Sequence, residues 1–136
     1  MNYKSFVCMT SMAAFLLVAC TKENPLEKHP PEAVAQYIFE NSRSGVGECV
    51  KAWSTAKATN EAVLARCEPH AIRIAGLLNV GGFGPNISSE NIRIPEVWQH
   101  VIKLYEKQAE ESRERSRQLR EKARKNLPFL NKINPQ

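Results

Sequence analysis

The sequence predicts an all-α protein, in which a small helical domain stapled by a disulfide is followed by a long basic C-terminal helix. Apolar residues recur at helical spacing through most of the chain after residue 30. Two cysteines lie on the apolar faces of separate predicted helices. All 14 acidic residues are glutamate, a good helix former, and none is aspartate, the usual ligand of calcium loops.

The N-terminus predicts a lipoprotein signal peptide over residues 1–19. Its apolar run, about 6–19, follows Lys4 and is shorter than the ~20 residues of a membrane-spanning helix. The string Leu-Val-Ala-Cys that ends at Cys20 resembles the lipobox of bacterial lipoproteins, in which that cysteine is acylated and becomes the first mature residue. The alternative is an ordinary secretory peptide with an incidental cysteine. We expect a lipid anchor on Cys20.

A polar stretch, 20–30, predicts a short tether, and 31–94 predict the small helical domain. Pro31 suits the first position of a helix that runs to residue 41, and residues 46–53 carry the stripe of a second. Asn60 is a good N-cap for a third helix. Pro69 is expected to break or kink this helix.

Cys49 and Cys67 remain as an even pair once the signal peptide is removed and Cys20 is acylated. An antiparallel helix hairpin brings their sulfurs together, so we expect a disulfide. Two alternatives stay open: two free buried thiols, or half of a metal site. The three histidines are scattered singly and do not supply the missing zinc ligands. We expect no metal and no cofactor.

A glycine-rich segment at 80–85 predicts a turn, because it lacks the Gly-Lys-Ser/Thr of a phosphate-binding loop. Residues 91–94 alternate in polarity and suggest a short extended piece. No nucleophile elbow, metal triad or paired-carboxylate cleft is recognisable. We therefore expect no catalytic residue and no enzyme.

The last predicted helix spans 95–127, between Pro95 and Pro128, and a tail of 128–136 follows it. Apolar and small residues form a heptad seam along this helix. The seam consists of Trp98, Ile102, Tyr105, Ala109, Ser112, Ser116, Leu119 and Ala123. Because its side chains shrink from aromatic to small, the first half should pack on the domain and the second half barely can.

The second half of this helix is strongly basic. Residues 101–136 hold ten Lys or Arg against five Glu, whereas residues 20–100 hold eight against nine. Charge pairs three and four residues apart favour a solvated helix. Alternatively, the surface binds a partner helix, anionic headgroups or phosphate, through candidate residues Arg113, Arg117, Arg120 and Arg124. Nucleic acid is not expected, because no aromatic residue lies between Tyr105 and Phe129 to stack on bases.

The lipobox, the short tether, the string PEAVAQYIFEN at 31–41 and the two cysteines resemble the EexN-type entry-exclusion lipoproteins of conjugative plasmids, over residues 12–68. The resemblance implies a helical, periplasm-facing protein that refuses incoming DNA by engaging part of the transfer apparatus. Thr21 replaces the aspartate that retains lipoproteins in the inner membrane, so we expect the outer membrane. Two rival functions are a structural lipoprotein of a secretion or conjugation channel, and a periplasmic inhibitor or immunity lipoprotein.

Overall fold

The computed structural model describes residues 23–43, 45–57 and 60–127, and every regular element in these ranges is helical. A 3-10 helix, Pro25–Lys28, precedes four α-helices. These are α1 (Pro31–Asn41), α2 (Glu48–Trp53), α3 (Glu61–Val80) and α4 (Pro95–Asn126). The predicted all-α fold with a long C-terminal helix is confirmed.

A single hydrophobic core lies between α1, α2, α3 and the first turns of α4. Trp98 of α4 is fully buried, and its indole N–H donates to the carbonyl of Ile92 at 2.6 Å. The ring of Trp53 lies 4.7 Å from it, centroid to centroid. The α-helical residues of the core are Val34, Ala35, Ile38, Val50, Trp53, Cys67, Ala71, Ile74, Ala75, Leu78, Val97, Trp98 and Val101. Burial of these side chains, more than helix propensity, holds the body together.

The Cys49–Cys67 disulfide joins α2 to α3, as expected, with the two Cα atoms 5.5 Å apart. Cys67 is completely buried, and Cys49 lies half-buried at the core's edge. One residue away from each cysteine, Glu48 and Arg66 form an ion pair of 2.8 Å on the surface. Helix α2 has only six residues, too few to be stable alone. The bridge therefore fixes a short helix that needs an external support.

Pro69 lies inside α3, which runs without a break over 20 residues, so the predicted break does not occur. Proline removes one helical hydrogen bond and crowds the carbonyl four residues earlier. Cys67 and Ala71 are buried on either side of it in sequence, whereas Pro69 itself faces solvent. Packing of the inner face outweighs the local cost of the proline. Asn60 caps this helix as predicted, since its side chain accepts from the amide of Ala62.

The predicted tether is shorter than its 20–30 span, because its described end is folded onto the body. Residues Pro25–Lys28 form the 3-10 helix, and Leu26 in it is buried in the core at 2% exposure. Asn24 caps the 3-10 helix through the amide of Leu26, and its side-chain amide donates to the carbonyl of Asn91 at 2.8 Å. The pattern missed this docking because a single leucine in a polar segment has no periodicity.

The glycine-rich segment after α3 is a turn, as predicted. Gly82 adopts a φ of 80°, which a glycine accommodates without strain. The side chain of Asn79 accepts from the amide of Ile87 at 2.8 Å and donates to its carbonyl at 2.9 Å. This double contact folds the loop back and buries Ile87. Residues 91 and 92 form a turn instead of the suggested extended piece.

Candidate partner-binding surface

The second half of α4 projects from the body as an exposed helix, which we call the arm, residues 106–126. Every arm residue is exposed except Glu114, which is half-exposed. Its glutamate, arginine, lysine, glutamine and alanine residues are strong helix formers, so this segment stays helical with little packing. The prediction that the second half of α4 barely packs on the domain is confirmed.

The base of the arm is held firmly on α1 and on the segment that follows it. The hydroxyl of Tyr105 donates to the carbonyl of Ser42 at 3.0 Å and accepts from the amide of Gly45 at 3.2 Å. The ring of Phe39 meets the Tyr105 ring edge-on at 4.9 Å. One and a half turns earlier, His100 lies 3.3 Å from a carboxylate oxygen of Glu32. These contacts fix the direction in which the arm leaves the body.

The four predicted partner-binding arginines lie on one face of the arm. Their spacing of four, three and four residues places them within about 60° of one another around the helix axis. Arg113, Arg117, Arg120 and Arg124 line one shallow groove together with Ser112, Ser116 and Glu121. We call this face the arginine stripe. The structure therefore brings all four candidate residues together.

Two arginines of the stripe are paired with carboxylates one turn earlier. Arg113 lies 3.4 Å from Glu110, and Arg117 lies 2.5 Å from Glu114. The side-chain amide of Gln118 also donates to Glu114 at 3.0 Å. The hydrogen bond from Gln118, followed by that from Arg117, lowers the pKa of Glu114. Of the predicted charge pairs, those three residues apart form, and no pair four residues apart forms an ion pair in the described part of the arm.

The far end of the stripe carries uncompensated positive charge. Within residues 60–127, Arg120 and Arg124 have no carboxylate partner. Guanidinium groups present a planar fork of donors that suits carboxylates and phosphates. The stripe is thus suited to an anionic surface, with its attractive end at the tip of the arm.

A second surface, on the outer face of α3, was missed by the sequence reasoning. Ile72 and Val80 are exposed there by 59% and 88%, with Gly76 between them. A groove of about 460 Å³ runs beside them, between α3 and residues 41–43. The spacing of four residues between Ile72, Gly76 and Val80 is visible in the sequence as a second stripe. This row was overlooked because the inner apolar stripe of α3 was sufficient to predict a helix.

The remaining candidate features are the lipid anchor, the tail and a metal site. Cys20, the predicted site of acylation, and the tail of 128–136 lie outside the described residues. In the described ranges, no helix has the length and apolar character to cross a membrane. Across those same residues, no three His, Cys or Glu side chains cluster where they might jointly bind a metal ion.

No protein-family model, curated protein or solved structure matches this chain.

Proposed function

We propose that this protein is a lipid-anchored, periplasm-facing entry-exclusion protein, which binds part of an incoming conjugative transfer apparatus through its arm. The observation that carries the proposal is the distance of the arm from Asn24, which lies close to the start of the described chain. The arm extends from one end of α4, and Asn24 is hydrogen-bonded close to the other end of that helix. The lipobox supports attachment to a membrane, and the resemblance at residues 12–68 supports a role in conjugation.

The linker between the predicted anchor and the body is short. From Cys20 to Asn24 the chain spans at most about 14 Å, and Leu26 is already buried. Asn24 is hydrogen-bonded to Asn91, four residues before α4 begins. An acyl group on Cys20 would therefore hold the body at the membrane near the N-terminus of α4.

The arginine stripe lies far from that point. Arg113 and Arg124 follow Pro95 by 18 and 29 residues, which at 1.5 Å per residue is about 27 and 44 Å along the helix. Local concentration near a membrane-bound target favours capture by such a tethered surface. The disulfide supports the same setting, because disulfides persist in oxidising compartments such as the periplasm.

A mating assay run in both directions tests the proposal. Expression in a recipient should lower entry of the matched plasmid by orders of magnitude and leave an unrelated plasmid unaffected, because exclusion rests on a difference of affinities. Loss from the donor should have no effect. The channel-lipoprotein rival predicts the reverse, and an inhibitor or immunity protein predicts no effect in either direction.

Two variants locate the activity on the molecule. Replacing all four stripe arginines by glutamine should abolish most of the exclusion. A matched control replaces Lys107, Arg115, Lys122 and Lys125 and removes the same charge. These four residues lie about 80° or more from the stripe around the helix axis. Cys20→Ala should also weaken exclusion by releasing the anchor. If the stripe variant and its control behave alike, the arm does not recognise its target through that face.

A further inference from the structure

The outer face of α3 exposes two large apolar side chains, Ile72 and Val80. Ile72, Gly76 and Val80 form a row at intervals of one turn, and Val80 is the most exposed large hydrophobic residue described. Single exposed apolar residues are ordinary on protein surfaces, whereas contiguous apolar patches mark contacts. The inner face of the same helix is separately satisfied, because Cys67, Ala71, Ile74 and Leu78 fill the core.

The groove beside this row has the geometry of a socket for one side chain. Four of its lining residues, Arg73, Gly76, Leu77 and Val80, stand at i, i+3, i+4 and i+7 of α3. Such a set forms the hole that receives a knob from a neighbouring helix. A Cβ atom added at Gly76 would have no neighbour within 4 Å, so the centre of the socket is open. We call this feature the α3 socket.

The rim of the α3 socket is positive. Arg73 stands on one side and Arg43, from the segment after α1, on the other, and no carboxylate is among the lining residues. A smaller cleft on the far side of Arg73 is lined in part by Trp53, whose buried indole N–H has no acceptor among the described residues. The one carboxylate of that cleft, Glu48, is paired with Arg66. Arginine side chains thus outnumber carboxylates in the lining of the socket.

We propose that the α3 socket binds an amphipathic helix of a partner protein, which inserts a large apolar side chain over Gly76 and sets carboxylates against Arg43 and Arg73. Helix-in-groove recognition of this kind combines apolar anchors with flanking charge. The inference goes beyond the proposed function, since it concerns a surface other than the arm and holds whatever apparatus the arm recognises.

A designed helical peptide tests the proposal on the full mature protein in nanodiscs of zwitterionic lipid. The probe has three heptads with a leucine ridge flanked by glutamates, and a fluorophore for anisotropy, with empty nanodiscs as the blank. Saturable binding is expected. Gly76→Leu, which fills the socket, should weaken it at least about tenfold. Leucine is a better helix former than glycine, so this variant should fold.

Two control variants distinguish specific binding at the α3 socket from non-specific binding. Ala33→Leu adds the same side chain at an exposed position of α1 and should leave binding unchanged. Arg73→Glu should weaken the glutamate-flanked probe and strengthen a lysine-flanked one. Absence of binding, equal binding of both probes, or indifference to Gly76→Leu would overturn the proposal. A change in the protein's own oligomeric state on Gly76→Leu would also overturn it, in favour of a second copy as occupant. The mating assay tests the arginine stripe and the peptide assay tests the α3 socket, so either proposal can fail without the other.

Discussion

The body and the arm are both helical, yet different forces stabilise them. In the body, α4 buries Val97, Trp98 and Val101 against the other helices. In the arm, the same helix continues for about six turns with no residue fully buried. Intrinsic propensity and short-range pairs such as Arg117 to Glu114 maintain it there. An unbroken helix is therefore no sign of uniform stability along its length.

This difference divides the molecule into a body that determines stability and an arm whose surface contributes little to stability. Substitutions on the surface of the arm should change stability by less than about 0.5 kcal/mol, whereas those in the body act on a shared core. The arm's charge can therefore be altered without confounding a binding assay with unfolding. The following predictions test that contrast.

The largest effect is expected at Trp98, where α4 belongs to the body. Trp98→Ala should reduce the free energy of unfolding by about 3 to 5 kcal/mol, because it leaves a cavity and removes the hydrogen bond to Ile92. Urea unfolding followed by circular dichroism measures the change. The matched variant is Leu119→Ala on the arm, whose side chain is 67% exposed. It should cost less than about 0.5 kcal/mol, and equal costs would contradict the division.

Loss of the disulfide should come next. The double variant Cys49→Ala/Cys67→Ala avoids a single free thiol and should lose about 2 to 5 kcal/mol. The effect comes from the unfolded chain, where the bridge closes a loop over a separation of 18 residues. Chemical unfolding with and without reductant measures it. Thiol labelling of the unfolded, unreduced protein supplies the control, and two reactive thiols there would refute the bridge.

Much of the fold was predictable because each helix carries its own local signal. Pro31 and Pro95 mark helix starts, Asn60 caps α3, and apolar periodicity marks inner faces. What failed depends on contacts distant in sequence. Leu26 gains its burial from the folded body, and Pro69 is tolerated because α3 is held by packing on both sides of it. On α4, the seam correctly placed Trp98, Ile102 and Tyr105 against the body, but it did not include Val97 and Val101, which are also buried.

The two candidate surfaces also differ in whether the sequence alone predicts them. The arginine stripe was predictable, since four arginines at helical spacing need only a helix to become one face. The α3 socket was not, because one of its walls is the segment at 41–43, which only the tertiary fold brings to α3. The two expected ion pairs three residues apart, Arg113 to Glu110 and Arg117 to Glu114, both form. The expected pairs four residues apart do not form in the described part of the arm, because side-chain rotamers select among competing partners.

Removal of the arm should have a small effect on the body. A chain that ends at residue 112 lacks most of the arm and the tail, and its melting temperature should change by less than about 4 °C. The reason is that the core ends at Val101 and Tyr105 retains its contacts with Ser42 and Gly45. Differential scanning calorimetry of the two forms measures the shift. A large destabilisation would show that residues beyond 112 pack on the body.

The smallest effect is expected at Glu114, where the arm's own interactions can be measured one at a time. Its pKa is lowered in the folded chain, first by Gln118 and then by Arg117. A carboxylate of this kind stabilises the helix fully above its unfolded pKa, about 4.3, and the contribution is lost as the pH falls through the lower folded pKa. Carboxyl titration by ¹³C NMR should therefore show a higher midpoint for Glu114 both in Gln118→Ala and in Arg117→Ala. Because Glu114 is in contact with solvent, salt should weaken the effect of Arg117 more than that of the neutral Gln118. Unchanged midpoints in both variants would show that these pairs do not hold the arm in solution.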